Sequence, residues 1–394
     1  MKILQRFALI LLSVVGLFLV GCGGSVDNGG KNESPVEYSG TVVDVRSVGA
    51  VGDGKTDDSA AIQTAIEQLK SVGGGQLYLP AGNYLVNEQI VLDSVDFFLN
   101  VKGSGMDITR IYINNTNGFM SFNMSQRSSQ MSFSDFSLYA QQKNIGSGIR
   151  FTMPEGGNRH NRSLVMENIG IYSDGINNSF KIGLDITGQW RSLLDNIVVH
   201  QEDGTEKGEI GINTNDTYTP FITNCSVENY KTGVTMIALN EPPTPSPEGF
   251  FIGSTTLIKC DTGIEILTKG IEPQIVFESC VFDCTNFGIK MYGKKFIQIL
   301  NSKFSFSLGD DNAYKDIYLE NCFDTVISNN VFSGEGENRI AVELTGPQTK
   351  ETLILANVFD LAGTGVYSNV DSNVVRNNIF TDRLKAQVIG TYSE

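Results

Sequence analysis

The chain has 394 residues, a formal net charge of −15 at pH 7 and a sequence pI near 4.7. This acidity argues against a nucleic-acid partner, which binds a basic surface, and disfavours a strongly polyanionic substrate unless calcium bridges the charges. The two histidines, His160 and His200, are too few for a multi-histidine metal site. We therefore expect no metal and no cofactor, with calcium as the one open alternative.

Residues 1–22 predict an export signal. Two basic residues precede an apolar run from 7 to 20, which is too short to span a bilayer as a helix. The run ends in Leu-Val-Gly-Cys, which resembles a bacterial lipobox. The resemblance implies that Cys22 is lipidated, and Gly23 after it favours the outer membrane; the alternative is an ordinary cleaved signal. Residues 23–40 are rich in Gly, Ser and Asn and predict a flexible tether.

The folded part is predicted to span 41–394 and to open with a module at 41–115. Its segment SAAIQTAIEQLKS has apolar residues at helical spacing, and Asp57 or Asp58 can cap that helix. The segment GGGQLYLPAGNYLV then predicts two strands joined by a Pro-Ala-Gly turn. An amphipathic helix can cover the open end of a stack of strands, so we predict a capping α-helix.

The words VGAVGDGKTDDSAAIQTAI, GGGQLYLPAGNYLV and VKGSGMDITRIYI resemble the opening module of the pectate lyase superfamily, including phage tailspike depolymerases. The resemblance implies a right-handed parallel β-helix. It leaves the reaction open, because the superfamily includes lyases, hydrolases and epimerases of polysaccharides. The chain departs from the polygalacturonase-type hydrolases: it has Asn-Thr-Asn at 213–215 and Asp310-Asp311, but no His-Gly and no Arg-Ile-Lys. We therefore do not assign it to that subgroup.

A phrase of short strands and turns recurs through 131–394. In each copy one apolar strand ends in a corner residue, a second apolar strand follows, and a Gly-apolar pair comes later. The corner residues are Asn168, Asn196, Asn224, Ser254, Ser279, Asn301, Asn329, Ala356 and Asn377, and the glycines are Gly148, Gly183, Gly211, Gly233, Gly263, Gly288 and Gly365.

Strand repeats of this length predict an all-β solenoid, here a single-stranded right-handed parallel β-helix of about ten coils with ladders of like side chains inside. We expect the corner residues to point inward and bond to their stacked neighbours, and the glycines to permit sharp turns.

The turn after the Gly-apolar strand is lengthened in the early and middle coils, at 152–163, 187–192, 214–220 and 239–249. Long loops stacked on one side of a solenoid form a wall, and a polymer can lie in the groove beside it. We therefore predict the active face over roughly coils two to five.

Three carboxylates near these loops are catalytic candidates. If Asn168 and Asn196 share a corner, Glu167 stacks on Asp195, and carboxyl groups about 5 Å apart suit the acid and the nucleophile of a retaining glycosidase. Glu248 closes the longest loop, in a Glu-Gly pair before a strand that resembles those of tailspikes. All three can instead be solvated turn residues.

Candidate substrate-binding residues lie in the same loops. Trp190 is the only tryptophan; it stands beside Arg191, can stack on a sugar ring, and can be extended by Tyr218. His160 and Arg162 belong to the one local basic cluster and can serve proton abstraction beside a uronate carboxylate. Packing on a neighbouring coil and ordinary loop charge are the alternative explanations.

These features favour a surface-anchored enzyme that degrades an extracellular or capsular polysaccharide, as a glycosidase or a polysaccharide lyase. Hydrolysis is favoured because carboxylates are abundant near the loops and basic groups are scarce. The alternative is a non-catalytic glycan-binding or adhesin-like β-helix. The expected partners are the polysaccharide and, through the lipid anchor alone, the membrane; a homotrimer stays open. The five later cysteines are predicted to be buried thiols, with a Cys260–Cys284 bridge as the alternative.

Overall fold

The structure, a computed structural model, describes residues 40–124, 130–152, 164–188, 192–204, 206–215, 217–238, 249–268, 274–306, 314–370 and 372–390. Within these ranges the chain is all-β apart from a 3₁₀ turn at Val45–Val48 and helix α1 at Ser59–Ser71. No helix in these ranges is long and apolar enough to cross a membrane. Cys22, the predicted signal and most of the tether lie outside the described residues and stay predictions.

The first strands, in chain order, are β1 (Val42–Asp44), β2 (Asp53–Asp57), β3 (Gly74–Tyr78), β4 (Gly82–Val86), β5 (Ile90–Val95), β6 (Phe98–Lys102), β7 (Thr109–Ile113), β8 (Gly118–Met124), β9 (Met131–Ala140), β10 (Ile145–Thr152), β11 (Leu164–Ser173) and β12 (Phe180–Thr187). The middle strands are β13 (Leu193–His200), β14 (Gly208–Asn215), β15 (Phe221–Thr223), β16 (Ser226–Glu228), β17 (Tyr230–Ala238), β18 (Phe250–Gly253), β19 (Thr256–Ile258), β20 (Thr262–Thr268), β21 (Ile275–Glu278), β22 (Val281–Asp283), β23 (Phe287–Tyr292) and β24 (Lys295–Leu300). The last strands are β25 (Lys303–Phe306), β26 (Lys315–Glu320), β27 (Phe323–Ser328), β28 (Val331–Gly334), β29 (Ile340–Thr345), β30 (Lys350–Leu355), β31 (Val358–Leu361), β32 (Thr364–Ser368), β33 (Val374–Arg376), β34 (Ile379–Phe380) and β35 (Ala386–Gly390).

The strands of the described part form two sheets, which we call A and B. Sheet B has 12 strands in the order β35-β32-β29-β26-β23-β20-β17-β14-β12-β10-β8-β5, and the other 23 strands form sheet A. Neighbouring strands run parallel, as in β10–β12 and β11–β13, so each coil stacks on the one before it. Strands β10 to β35 of sheet B fall within 131–394, one from each coil, which confirms the predicted parallel β-helix of about ten coils.

Like side chains stack inside the solenoid, as predicted. Phe282, Phe304, Phe332, Phe359 and Phe380 form a ladder whose ring centroids lie 4.6, 4.9, 4.8 and 4.9 Å apart. These separations match the spacing of about 4.8 Å between adjacent strands, so each ring contacts its equivalents in the coils above and below.

The corner residues differ from the prediction in direction. All nine are exposed and adopt the left-handed conformation, with φ between 49° and 58°, as at Asn168, Asn196 and Ala356. One left-handed residue turns the chain between two strands of sheet A, and asparagine tolerates this conformation better than most residues. The expectation that these side chains point inward was wrong by one position: the next residue is the one turned toward the core.

The residues that follow the corner residues point into the core and form a second ladder, beside the ladder of phenylalanines. This second ladder is apolar in the early coils and polar in the late ones. Asn330 and Asn357 are fully buried. Asn330 donates from its backbone N and its Nδ2 to Asn357 Oδ1 at 2.9 and 3.1 Å, and Asn357 donates in the same way to Asn378 Oδ1 at 2.9 and 3.0 Å. Stacked amides thus satisfy the buried backbone groups that the corner leaves unpaired.

The seven glycines of the recurring Gly-apolar pairs stack from coil to coil, and we call them the glycine column. They permit close packing of the strands, whereas the sequence prediction was that they permit sharp turns. None of its seven members has a left-handed φ. A Cβ on Gly211 would lie 2.3 Å from Val227 Cγ1 and 2.7 Å from the carbonyl oxygen of Gly233. At this glycine the strands of sheet B approach the core too closely for a side chain.

One coil places a buried ion pair in this column. Asp316 occupies the position after Gly288 in this column. Arg339 donates hydrogen bonds from Nε and Nη2 to the Asp316 carboxylate at 2.9 and 2.7 Å. Both side chains are fully buried. Burial raises the pKa of Asp316 to about 6, against the opposing effect of the Arg339 guanidinium beside it.

Helix α1 buries Ile62, Ala65, Ile66 and Leu69 against the first strands. Asp58 occupies the N-cap position but makes no side-chain capping bond; its Oδ1 accepts from Val51 N at 2.7 Å, and Asp57 Oδ1 instead accepts from Ser59 N at 3.0 Å in the first turn. The predicted helix is therefore present, and its role as a cap stays a prediction.

The cysteines of the described part, Cys225, Cys260, Cys280, Cys284 and Cys322, are buried and free. The expectation of buried thiols is confirmed, and the alternative Cys260–Cys284 bridge is absent.

Candidate active site

The predicted long loops begin at one edge of sheet B. They follow β10, β12, β14 and β17 and lead into β11, β13, β15 and β18 of sheet A. Some later connections are short, as between β23 and β24, which only Gly293 and Lys294 separate, whereas six residues separate β20 from β21 and five separate β32 from β33. Because the carboxyl ends of parallel strands meet at one edge, the ends of these loops gather beside the same part of sheet B. Residues 153–163, 189–191 and 239–248 within the loops lie outside the described part.

Four polar residues stand in register on sheet B at this edge. Arg150 on β10 pairs with Asp185 on β12, then Asn213 on β14 and Thr235 on β17. They face outward, since they alternate with core residues such as Leu184 and Ile186. We call this group the polar column.

Hydrogen bonds link the polar column from coil to coil. Arg150 Nε donates to Asp185 Oδ2 at 2.8 Å, and Asn213 Nδ2 donates to Asp185 Oδ1 at 2.9 Å. Thr235 Oγ1 in turn donates to Asn213 Oδ1 at 2.7 Å. The Asp185 carboxylate is therefore held from both sides, in a fixed orientation.

Exposure within the column is uneven. The Asp185 side chain is 12% exposed, whereas that of Arg150 is 49% exposed. Arg150 uses Nε for Asp185, and Nη2 makes only a long contact of 3.4 Å to Ser147 Oγ. A guanidinium anchored in this way can still present its Nη groups to an anion, and it suits the planar carboxylate of a sugar acid.

The sequence prediction did not include these residues, although a signal for them exists. Arg150, Asp185, Asn213 and Thr235 each stand two positions after a glycine of the recurring Gly-apolar pairs. That position points away from the core in every coil, so a run of polar residues there marks a polar layer at the foot of the loops, in which Asp185, Asn213 and Thr235 are buried and Arg150 is exposed.

The predicted stacking of Glu167 on Asp195 is present. The two residues pair in register between β11 and β13 of sheet A, and Thr223, Gly253 and Glu278 continue the same column. Glu167 is exposed. Asp195 Oδ1 accepts from Thr223 Oγ1 and Asn224 Nδ2, both at 2.7 Å. The stacking is confirmed, and the catalytic role stays a prediction.

Five other predicted site residues lie outside the described residues; they are Glu248, Trp190, Arg191, His160 and Arg162. Tyr218 is described, and it is half-buried between β14 and β15. None of these predictions is tested by the structure.

A second polar cluster lies at the opposite corner, where sheet A leads into sheet B. His200 Nδ1 lies 2.9 Å from Glu228 Oε2, and Lys259 Nζ bridges Glu228 at 3.0 Å and Asp203 at 2.8 Å. The hydrogen bonds that Lys259 donates to Asp203 and Glu228 raise the pKa of Lys259, and the same bond to Lys259 lowers the pKa of Asp203. Each charged side chain of this cluster already has a partner, which favours a structural role for the cluster over a catalytic one.

No three His, Cys, Asp or Glu side chains among the described residues come together as a metal site. A role for calcium was an open alternative, and it stays one.

Comparison with known proteins fits this architecture. A model of the family described as "Rhamnogalacturonase A/epimerase, pectate lyase-like" matches residues 42–290, well over half of the chain. The match includes the whole polar column.

Two curated relatives are similar over short stretches. Mannuronan C5-epimerase AlgE3 of Azotobacter vinelandii is 34% identical over 114 residues, which cover 27% of this chain and 6% of the epimerase. Plasmin and fibronectin-binding protein A of Streptococcus pneumoniae is 48% identical over 59 residues, 15% of this chain and 8% of that protein. The chain thus spans less than a tenth of the length of either relative.

Among solved structures, the A-module of mannuronan C-5 epimerase AlgE4 of Azotobacter vinelandii is similar with a TM-score of 0.63 and 18% identity, over 90% of this chain and 99% of that one. At that identity the likeness shows a shared fold.

Proposed function

Because the chain belongs to the rhamnogalacturonase A/epimerase, pectate lyase-like family, we propose that it is an enzyme acting on a uronate-containing polysaccharide on the outer face of sheet B. The reaction begins with removal of the proton beside the uronate carboxylate. Return of a proton to the opposite face gives the epimer, whereas expulsion of the linked sugar oxygen gives an unsaturated uronate and a shorter chain.

The polar column carries this proposal. The Nη groups of Arg150 bind the substrate carboxylate and stabilise the charge that develops when the neighbouring proton leaves. Asp185 positions Arg150, and Asn213 positions Asp185. We assign the proton-accepting role to His160, which belongs to the loop that follows β10. The names of the epimerase relatives support proton transfer rather than the hydrolysis that the sequence alone favoured.

The test is a panel of polysaccharides with three readings. Ultraviolet absorbance detects an unsaturated uronate, new reducing ends detect chain cleavage, and deuterium uptake from heavy water detects epimerisation. We expect Arg150→Gln to lose about 100-fold or more of kcat/KM, as for loss of one donor to a developing charge. Glu67→Gln, an exposed change on helix α1, is the control for handling and folding. Full turnover in Arg150→Gln would contradict the proposal.

Retaining hydrolysis is the second candidate, and the register of Glu167 and Asp195 favours it. In that mechanism one carboxylic acid protonates the leaving oxygen and the other attacks the sugar, with Glu248 as an additional carboxylate. Reducing ends without the unsaturated uronate, lost in Glu167→Gln and Asp195→Asn, would establish it. No turnover across the panel would instead favour glycan binding without catalysis.

We also propose that the protein is anchored to the bacterial outer membrane through a lipid on Cys22. The lipobox resemblance supports this location. Mass spectrometry of the mature N-terminus should find a lipidated cysteine, and Cys22→Ser should release the protein into the soluble fraction. An unmodified N-terminus beyond residue 22 would show an ordinary cleaved signal instead.

A further inference from the structure

The outer face of sheet B changes character in its later coils. Phe287 and Tyr292 on β23 and Tyr318 on β26 stand there half-buried. The ring of Tyr318 meets Phe287 and Tyr292 edge to face, with centroids 5.8 and 6.0 Å apart. Three rings at inclined angles present a partly apolar surface to solvent. With Lys290 and Lys315 beside them, we call this surface the aromatic platform.

The two lysines of the platform are already neutralised. Lys290 Nζ lies 3.0 Å from Glu265 Oε1, and Lys315 Nζ lies 2.9 Å from Glu343 Oε2. Both also lie against the rings, with Lys290 Nζ 5.2 Å from the centroid of Phe287 and Lys315 Nζ 4.8 Å from that of Tyr318. These contacts hold the lysine ammonium groups and the glutamate carboxylates in fixed positions beside the rings. The positive charge of each of these two lysines is balanced by its glutamate.

The platform continues the polar column along the solenoid. Asp185, Asn213, Thr235, Glu265, Lys290 and Tyr318 share one outward register. Six coil spacings separate Arg150 on β10 from Tyr318 on β26, roughly 29 Å at about 4.8 Å per coil. A polysaccharide that spans this length along sheet B, passing over the buried Asn213 and Thr235, reaches both Arg150 and the platform.

We propose that the aromatic platform binds uncharged sugar rings of the same polymer, several residues away from the uronate held at Arg150. The apolar face of a pyranose can stack on an aromatic ring, and the fixed lysine and glutamate groups can bond to its hydroxyls. Among the residues that the structure describes at the platform, a carboxylate would meet no cation without an acidic partner, and the net charge of −15 adds repulsion for a polyuronate.

The substrate class is therefore an acidic heteropolysaccharide, in which uronates are separated by neutral sugars, rather than a homopolymer of uronate. The position of the uronate rests on the proposed function, whereas binding at the platform does not.

The experiment measures equilibrium binding, independently of turnover, for three probes. These are a long heteropolymer with spaced uronates, a polyuronate of matched length, and a heteropolymer fragment too short to span the roughly 29 Å between Arg150 and Tyr318. We expect Tyr318→Ala to weaken binding of the long heteropolymer by roughly tenfold, as expected for loss of one ring contact. Tyr318→Phe should retain binding, which separates ring stacking from loss of the hydroxyl. Phe296→Ala, at another partly exposed ring on sheet A, is the matched control.

Two results would overturn the inference. One is unchanged binding of the long heteropolymer in Tyr318→Ala when its unfolding midpoint equals that of the native protein. The other is tighter binding of the polyuronate than of the heteropolymer, lost in the same variant. If Arg150→Gln keeps full turnover while Tyr318→Ala loses binding, the proposed reaction fails and the platform stands. The reverse pattern removes the platform and leaves the reaction.

Discussion

Replacement of Asn357 by alanine tests the inward ladder of stacked amides. Asn357 Nδ2 donates to the carbonyl oxygens of Ile327 and Leu355 at 2.9 and 3.0 Å, and Oδ1 accepts from Asn330 N at 2.9 Å. Alanine removes all of these bonds at once. The amide of Asn330 then stays buried without its acceptor, and the carbonyl of Ile327 loses this donor.

The expected cost follows from those two buried groups. Each orphaned group costs about 1–3 kcal/mol, so we expect the free energy of unfolding to fall by about 3 kcal/mol. Denaturant unfolding followed by circular dichroism gives this quantity. Hydrogen exchange adds a local reading, because the Asn330 amide should exchange faster while amides of β5 keep their protection.

Asn377→Gly is the matched control. Asn377 is an exposed corner residue with φ 56°, a conformation that glycine adopts without strain, so we expect a change below about 0.5 kcal/mol. If Asn357→Ala costs less than about 1 kcal/mol and leaves the Asn330 amide protected, the inward ladder does not stabilise the coils.

Three further substitutions and one labelling experiment have expected outcomes. Ala356→Asn should raise the free energy of unfolding by up to about 1 kcal/mol, since alanine is strained at φ 54°; no gain in denaturant midpoint would count against that strain. Gly211→Ala should lower it by about 1–3 kcal/mol through overpacking, and a neutral result would mean that the coils can separate. Asp316→Asn should cost about 3–5 kcal/mol by leaving Arg339 charged and unpaired, with much of the loss recovered when Arg339→Met is added. Burial raises the pKa of the described cysteine thiols, to about 12 for Cys225, so a maleimide at pH 8 should label none of them in the native protein and all of them after unfolding; native labelling would contradict their burial.

The coil-to-coil register could be predicted because one feature repeats in every coil. Once the corner residues are aligned, Glu167 lies opposite Asp195, as the structure shows. Strand pairing in a solenoid follows from such alignment, since each strand meets the equivalent strand of the next coil.

The direction of the corner side chains could not be predicted from the same pattern. Asparagine suits both a left-handed corner and a ladder of stacked amides, and these two roles occupy adjacent positions. In the last coils both positions hold asparagine, as at Asn329 and Asn330, so composition does not separate them. The backbone conformation, with φ 57° at Asn329, assigns the roles.

The polar column was missed for a related reason. The lengthened loops point to residues within them and to the strands of sheet A that follow. Arg150 and Asp185 instead lie on the strands of sheet B that precede those loops. Their significance depends on contact across a sequence separation of 35 residues. A single sequence shows the outward position after each glycine, but it does not show which outward residues bond to one another.

The most direct test of sugar binding on sheet B is a crystal structure of the full, unsubstituted chain in complex with a long oligosaccharide. The oligosaccharide is taken from the polymer that binds most tightly. We predict density for the sugar along the outer face of sheet B, with a uronate carboxylate at the Arg150 guanidinium and a neutral ring over Tyr318. Density over Glu167 and Asp195 on sheet A, with none along sheet B, would contradict the assignment.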